Sequence, residues 1–343
     1  MIALLLAASL ATQVSFEAAV AALAAPSAAA RLDALAALEA SGYPEALAPV
    51  AALARDPDDA VQRRALAALL GLARPGRVAG GPARAFDEAV TPAVSVPPGV
   101  FDPVAVAMGD ASPGVRIDAA YTFAVLAGRP ARGVPAPALA AAARALGVML
   151  GDGDAGVRVA AGRAAGHLFR ADLAAVPPAG PMPAPLADAL VAAMNQPDET
   201  EELVAMQALG FAREPRALVA LTERYRYHAA EGHRLGAAGA LDALAHLARP
   251  ESVPLFEALL AGGSPLERRL AIEGLARMGD PARLPALAAA AAGARDGQVR
   301  LALLFARERL LGDGSAAGLR DALGDRRLGG QAADYLRELG LAP

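Results

Sequence analysis

Apolar residues recur along this chain at the spacing of a helix face. Val157, Ala161, Ala164, Ala165 and Leu168 stand at offsets that place them on one side of an α-helix. Near the N-terminus, Phe16, Val20 and Leu23 form a similar stripe, with Ser15 in position to cap its start. Between such segments lies a second kind of apolar stretch, in which Pro follows Tyr, an acid or Arg: "GYPEALAPVAAL", "REPRALVALTERY", "RPESVPLFEALL" and "GDPARLPALAAAA". Pro in the first turn, after a capping residue, marks a helix start. The pattern predicts helices throughout.

The helices come in pairs that repeat. "GDGDAGVRVAAGRAAGHL" has relatives in "RDPDDAVQRRALAALLGLA", "GDASPGVRIDAAYTFAVLAG" and "ARDGQVRLALLFARERL". Each is an acidic turn, then a β-branched residue, a polar residue that is usually Arg, and small or apolar residues at helical spacing. Degenerate copies keep the phase. The marker falls near Ala30, Val61, Val115, Val157, Glu201, His233, Glu267, Val299 and Leu328. Five of its eight steps lie close to ~32 residues, the length of a two-helix repeat.

The period settles how Gly151–Gly156 is read. "GDGDAG" spells a dinucleotide fingerprint, with Asp172 downstream, and Asp152 and Asp154 could open a calcium loop. A fingerprint needs a preceding strand, and here a helix precedes it. The calcium loop needs a Glu at its twelfth position, which is Arg163. The stretch is therefore a turn between two antiparallel helices, with Asp154 capping the second.

These turn residues (Asp110 with Val115-Arg116, Asp152 with Val157-Arg158, Asp296 with Val299-Arg300) and the junctions "EGLARMGDP" and "DALAHLARP" resemble the HEAT-repeat family of ARM-type solenoids. The likeness is to the short bacterial repeats of phycobilin lyases, and it spans Ser15 to Leu341. It implies an all-α fold: a right-handed α-solenoid, or superhelix, of about nine HEAT-type antiparallel helix hairpins. Residues 15–343 are then one solenoid with Pro/Gly-rich insertions near 75–98, 128–137 and 176–185. Insertions at one place in consecutive repeats are expected along one edge. Residues 1–14 are a signal peptide or an N-terminal apolar cap. The apolar N-terminus favours an exported or periplasmic location over a cytoplasmic one, although the first basic residue is Arg31.

Composition narrows the function. Apolar residues make up 55% of the chain but aromatics only 4%, and Trp and Cys are absent. Disulfides, thiolate metal sites and Cys nucleophiles are thereby excluded. All 32 basic residues are Arg, and the net charge is −4 with both signs interspersed. That is not the footprint of a nucleic-acid binder, and no run reaches the ~20 apolar residues of a membrane span. The recurring Arg116, Arg158, Arg234, Arg268 and Arg300 are expected to pair with turn carboxylates as a ladder, rather than to line an anion groove.

Enzymes with HEAT-like repeats lose their key residues here. The chain has no His-Glu dipeptide of the kind that holds iron in deoxyhypusine hydroxylases. It has no Trp for an alkylpurine glycosylase face, and no tetrapyrrole signature. No catalytic, cofactor-binding or metal-binding residue is assigned, and His228, Glu231 and His233 straddle a turn rather than forming a metal trio. The expected function is a non-enzymatic scaffold for another protein or peptide. The alternative is a HEAT-like lyase or accessory enzyme acting on a small molecule such as a tetrapyrrole. In "TERYRYHAAEGHR", Leu218, Leu221, Thr222 and Tyr225 share a buried face, which leaves Arg216, Glu223, Arg226 and Tyr227 as candidate partner-binding residues.

Overall fold

The computed structural model describes residues 15–74, 80–128, 131–171, 173 and 180–342. The leading segment 1–14, Asp172 and parts of the three insertions (75–79, 129–130 and 174–179) lie outside the described residues. Every regular element among those described is helical. They group into two compact units, Met1–Gly128 with Arg132–Met149, and Arg129–Ala131 with Leu150–Pro343.

The first unit holds α1 (Phe16–Ala22), α2 (Ala28–Ser41), α3 (Leu47–Ala52), α4 (Asp59–Ala73), α5 (Gly81–Asp87), α6 (Phe101–Ala107), α7 (Pro113–Ala127) and α8 (Ala136–Met149). Ser15, Ser27 and Asp58 start α1, α2 and α4 by accepting backbone N–H bonds. The second-helix members α2, α4 and α7 stack in that order. The first insertion departs from the expected loop. Its Gly81–Asp87 stretch forms α5, which lies against α7 with the Phe86 and Tyr121 rings 5.0 Å apart.

The second unit holds α9 (Ala155–Leu168), α10 (Ala184–Ala193), α11 (Glu199–Phe211), α12 (Leu218–Glu231), α13 (Arg234–Leu247), α14 (Val253–Gly262), α15 (Pro265–Arg277), α16 (Leu284–Ala291), α17 (Gly297–Leu311), α18 (Ala316–Asp321) and α19 (Gly329–Glu338). Pro215, Pro250 and Pro281 each open a 3-10 turn that runs into α12, α14 and α16. Here Pro costs nothing, because the first-turn N–H it removes has no partner in the helix. The even-numbered helices α10 to α18 each lie against the helix that follows, and α9, α11, α13, α15, α17 and α19 stack one on the next. This is the α-solenoid arrangement of paired helices.

Small residues set the stacking distance. Val157, Ala161, Ala164, Ala165 and Leu168 are all fully buried, as their spacing requires. At Gly210 of α11 a Cβ would stand 2.7 Å from both Cα and O of Ala243 on α13, so only glycine lets those backbones come this close. A buried Leu contributes ~1.5–3 kcal/mol and an Ala far less, so cohesion is spread over many close contacts. The turn Gly151–Asp154 needs no left-handed glycine, since neither Gly151 nor Gly153 has a positive φ. Asp152 Oδ1 accepts the Asp154 N–H at 2.9 Å, and Asp154 Oδ1 accepts the Val157 N–H at 3.1 Å.

Segments that follow second helices also close open helix ends. Ala93 N–H donates to Ala73 O at 2.8 Å, Ala131 to Leu168 O at 3.3 Å, and Ala171 to Phe211 O at 2.8 Å. Each acceptor lies at the C-terminal end of a second helix, where carbonyls lack intrahelical partners. Among the described residues no helix is long and apolar enough to cross a membrane.

Candidate protein-interaction surface

The residue after each turn marker opens a second helix and is Arg in most repeats. Its guanidinium usually folds back on its own turn. Arg31 Nη1 donates to Ala25 O (2.9 Å) and Pro26 O (3.2 Å), and Arg116 Nη1 to Asp110 O (2.8 Å) and Ala111 O (2.9 Å). Arg158 Nη1 reaches Asp152 O (2.7 Å), Arg268 Nη2 reaches Gly263 O (3.0 Å), and Arg300 Nη1 reaches Ala294 O and Arg295 O. Gln62 does the same to Ala54 O at 3.3 Å.

The expected partner was a carboxylate; the common partner is a backbone carbonyl. Turn carbonyls left over by the preceding helix are the nearest unsatisfied acceptors. Carboxylates of the next repeat add a second bond in some cases: Asp56 for Arg31, Asp110 for Gln62 and Glu201 for Arg158.

Two neighbouring repeats break this rule. At the first, the position is Glu202, a buried acid. Its Oε1 accepts from Arg224 Nε at 2.5 Å and lies 2.7 Å from His228 Nε2, both on α12. At the second, the position is Arg234, which is exposed and makes no such bond. The expected Arg ladder therefore fails at Arg234.

Helix α12 lies between these two positions. Its buried stripe contains Leu221, Tyr225 and His228, with Leu218 and Thr222 partly covered. The Tyr225 hydroxyl donates to Glu267 Oε1 at 3.1 Å, and burial together with that carboxylate pushes its pKa up to about 12. Glu267 also closes the capping box of α15 with Ser264. These contacts fix the rotation of α12.

That rotation places Glu223, Arg226 and Tyr227 on the exposed side. Tyr227 is 49% exposed, with Val219 (66%) and Leu235 (58%) also open to solvent. The Tyr227 ring is held from below. Its centroid is 5.2 Å from that of His228 and 6.0 Å from that of His233, and the Arg224 guanidinium lies 5.0 Å from it. Arg216 stands apart in the Pro215–Ala217 turn, donating to Glu214 Oε1 at 2.8 Å and Asp188 Oδ1 at 3.2 Å. Its charge is already shared. His228 spends Nε2 on Glu202, and among the described residues no His, Asp and Glu cluster is arranged to hold a metal ion.

Sequence reasoning missed a buried ionic cluster in the last repeats. Arg277 on α15 grips Glu338 on α19 through two 2.9 Å bonds and lies 3.4 Å from Glu273. Arg269 bonds Glu273 at 2.9 Å, the Tyr335 hydroxyl also reaches Glu273, and Arg309 approaches Glu338 at 3.5 Å. Burial opposes the Arg277 charge, but Glu338 and Glu273 hold its pKa above the ordinary value. Burial likewise opposes the Glu338 charge, and Arg277 outweighs it to keep that carboxyl below its usual range.

The available signal was positional: His246, Arg277 and Arg309 all fall in the closing turns of successive second helices. Cations are favoured there by the helix dipole. A cavity of about 390 Å³ lies beside this cluster, lined by Gly279, Glu308, Arg309, Leu339 and Leu341.

A search of curated proteins returned no match. Among solved structures, the crystal structure of an engineered protein is 18% identical, covering 96% of this chain and 89% of that one with a TM-score of 0.46. A second engineered protein is also 18% identical, covering 77% of this chain and 96% of that one with a TM-score of 0.41. Residues 229–306, from the end of α12 into α17, match the family model for HEAT repeats. The same pairing of helices continues on both sides of that segment.

Proposed function

We propose that this chain is a non-catalytic scaffold that binds another protein or peptide, with the exposed side of α12 contributing to the binding face. Glu223, Arg226 and Tyr227 form its centre, Val219 extends it, and Arg216 borders it through a pair already shared with Glu214. One observation carries the reading: Tyr227 is half exposed, yet its ring is fixed against Arg224, His228 and His233. An aromatic side chain ordered in advance loses little freedom on binding, and Tyr and Arg are the residues in which interface energy concentrates.

The small-molecule alternative would use the cavity beside Arg309. Its two charged wall residues are engaged, Glu308 with the Ala316 N–H at 2.9 Å and Arg309 with Glu338. That favours the scaffold.

The test is affinity capture from a lysate of the source organism, comparing wild type with Arg226→Ala/Tyr227→Ala. An interface anchor costs about 2 kcal/mol or more when truncated, so capture of the partner should fall about thirtyfold with the melting temperature unchanged. Retained capture would overturn the reading. Lost capture with a lowered melting temperature would make Tyr227 a packing residue instead.

A further inference from the structure

Helix α7 is covered twice. As the second helix of its repeat it lies against α6, and α5 from the first insertion lies against it as well. Every residue from Asp118 to Ala127 is buried. Tyr121 shows what α5 contributes. Counted from the repeat marker, it stands where α4 has Ala67, α9 has Arg163 and α11 has Gln207, and those three are partly or fully exposed. Tyr121 is 5% exposed, with the Phe86 ring of α5 5.0 Å from its own. An aromatic side chain on a column that elsewhere meets solvent makes a seat, and α5 fills it.

The way α5 is held resembles a bound peptide more than a framework helix. Its seven residues are too few to hold a helix by themselves. Pro82 and Ala85 are buried and Phe86 is half-buried, which is the i, i+3, i+4 anchor spacing of a helix laid in a groove. Arg84 and Glu88 pair with each other on the solvent side. Left-handed backbone bounds the element: Gly80 and Gly81 at its start (φ 100° and 81°) and Ala89 just past its end (φ 50°). Ala89 carries a Cβ in that region, so it stays there only while the docked arrangement holds it. Beyond Ala89 the chain is tied down again. Arg74 Nη1 donates to Thr91 O at 3.0 Å, and Ala93 N–H donates to Ala73 O at 2.8 Å.

We propose that α5 is an autoinhibitory strap over a docking seat on α7 centred on Tyr121. The strap swings out about Gly80–Gly81 and Ala89 while Thr91 and Ala93 stay fixed to the end of α4. A partner helix then takes the seat. It presents an aromatic residue in the place of Phe86, a small residue directly before it and another three positions earlier, as Ala85 and Pro82 do in α5. The seat belongs to the first unit, so the inference stands apart from the α12 face.

The test uses the full chain with isotope-labelled tyrosine and an unlabelled peptide of residues 80–90, GGPARAFDEAV. Tyr121→Phe assigns the ring among the five tyrosines. Phe86→Ala empties the seat. A tethered strap competes at an effective concentration in the millimolar range, so the peptide should shift the Tyr121 ring of Phe86→Ala at about tenfold lower concentration than in wild type. A peptide with Ala in place of Phe should shift neither chain. Ala85→Glu sets a charge in a contact that is 1% exposed, so it should expel the strap and reproduce the Phe86→Ala titration. In wild type, the α5 amides should exchange hydrogen about a hundredfold faster than those of α7, because the strap opens without global unfolding.

Equal titrations of wild type and Phe86→Ala, or no shift at Tyr121 in either, would overturn the proposal. So would α5 amides as protected as those of α7. Loss of the cooperative melt in both Phe86→Ala and Ala85→Glu would overturn it too, since α5 would then be part of the core of the first unit.

Discussion

The turns before α9 and before α13 occupy the same place in their repeats and are finished in opposite ways. Before α9, Asp152 and Asp154 take the free amides, and Arg158 Nη1 takes the Asp152 carbonyl. The rest of that guanidinium is held by buried Glu201, with bonds of 2.8 and 2.5 Å. Before α13, no side chain caps the helix and Arg234 is exposed and unbonded. The difference begins one repeat earlier, where Glu202 replaces the usual Arg and draws Arg224 and His228 toward the interior.

The comparison is sharpened first where sealing is most complete. Arg277→Ala would leave Glu338 buried without its main cation, and breaking a buried pair by removing one partner costs about 3–5 kcal/mol. Chemical denaturation should detect this directly. The same pair gives a pH signature. The folded Glu338 carboxyl lies below its ordinary value, so its contribution is complete above the usual glutamate range, near pH ~4, and fades as pH falls through the folded value. Glu338→Gln should flatten the acid side of the stability curve; an unchanged slope would remove Glu338 from the account.

A smaller effect is expected between the two turns. Gly236→Ala would place a methyl group against the His228 ring, and overpacking of this kind costs about 1–3 kcal/mol. The His228 imidazole signal should move with it, because the ring must leave its place beside Glu202. A melting temperature within error of wild type would mean that the ring is not pinned there.

Much of the fold was legible because the repeat marker and the helix face agree. Val157, Ala161, Ala164, Ala165 and Leu168 were placed on one stripe by spacing alone, and all are buried. Ser15 and Asp154 act as the caps their positions suggested. The phase of α12 was readable too, since Tyr225 and Tyr227 differ by about 200° around a helix, and the structure buries the first and exposes the second.

What stayed hidden depends on geometry between distant residues. Nothing in the pattern could say that Arg116 donates to the Asp110 and Ala111 carbonyls, because that choice follows from the path of the turn. The Arg277–Glu338 pair joins residues two repeats apart. Helix α5 was concealed by the Pro and Gly around it, and its stability comes from packing on α7 rather than from its own seven residues.

The most direct test of a sealed turn residue against the exposed face pairs Arg158→Ala with Tyr227→Ala, each measured for thermal melting and for capture of the partner recovered with the wild-type chain. The account predicts opposite results. Arg158→Ala should lower the melting temperature and leave capture intact, since it strips the bonds to Asp152 O and Glu201. Tyr227→Ala should melt as wild type does and lose capture. If the two variants behave alike, in stability or in capture, Tyr227 is an ordinary surface residue and the account is wrong.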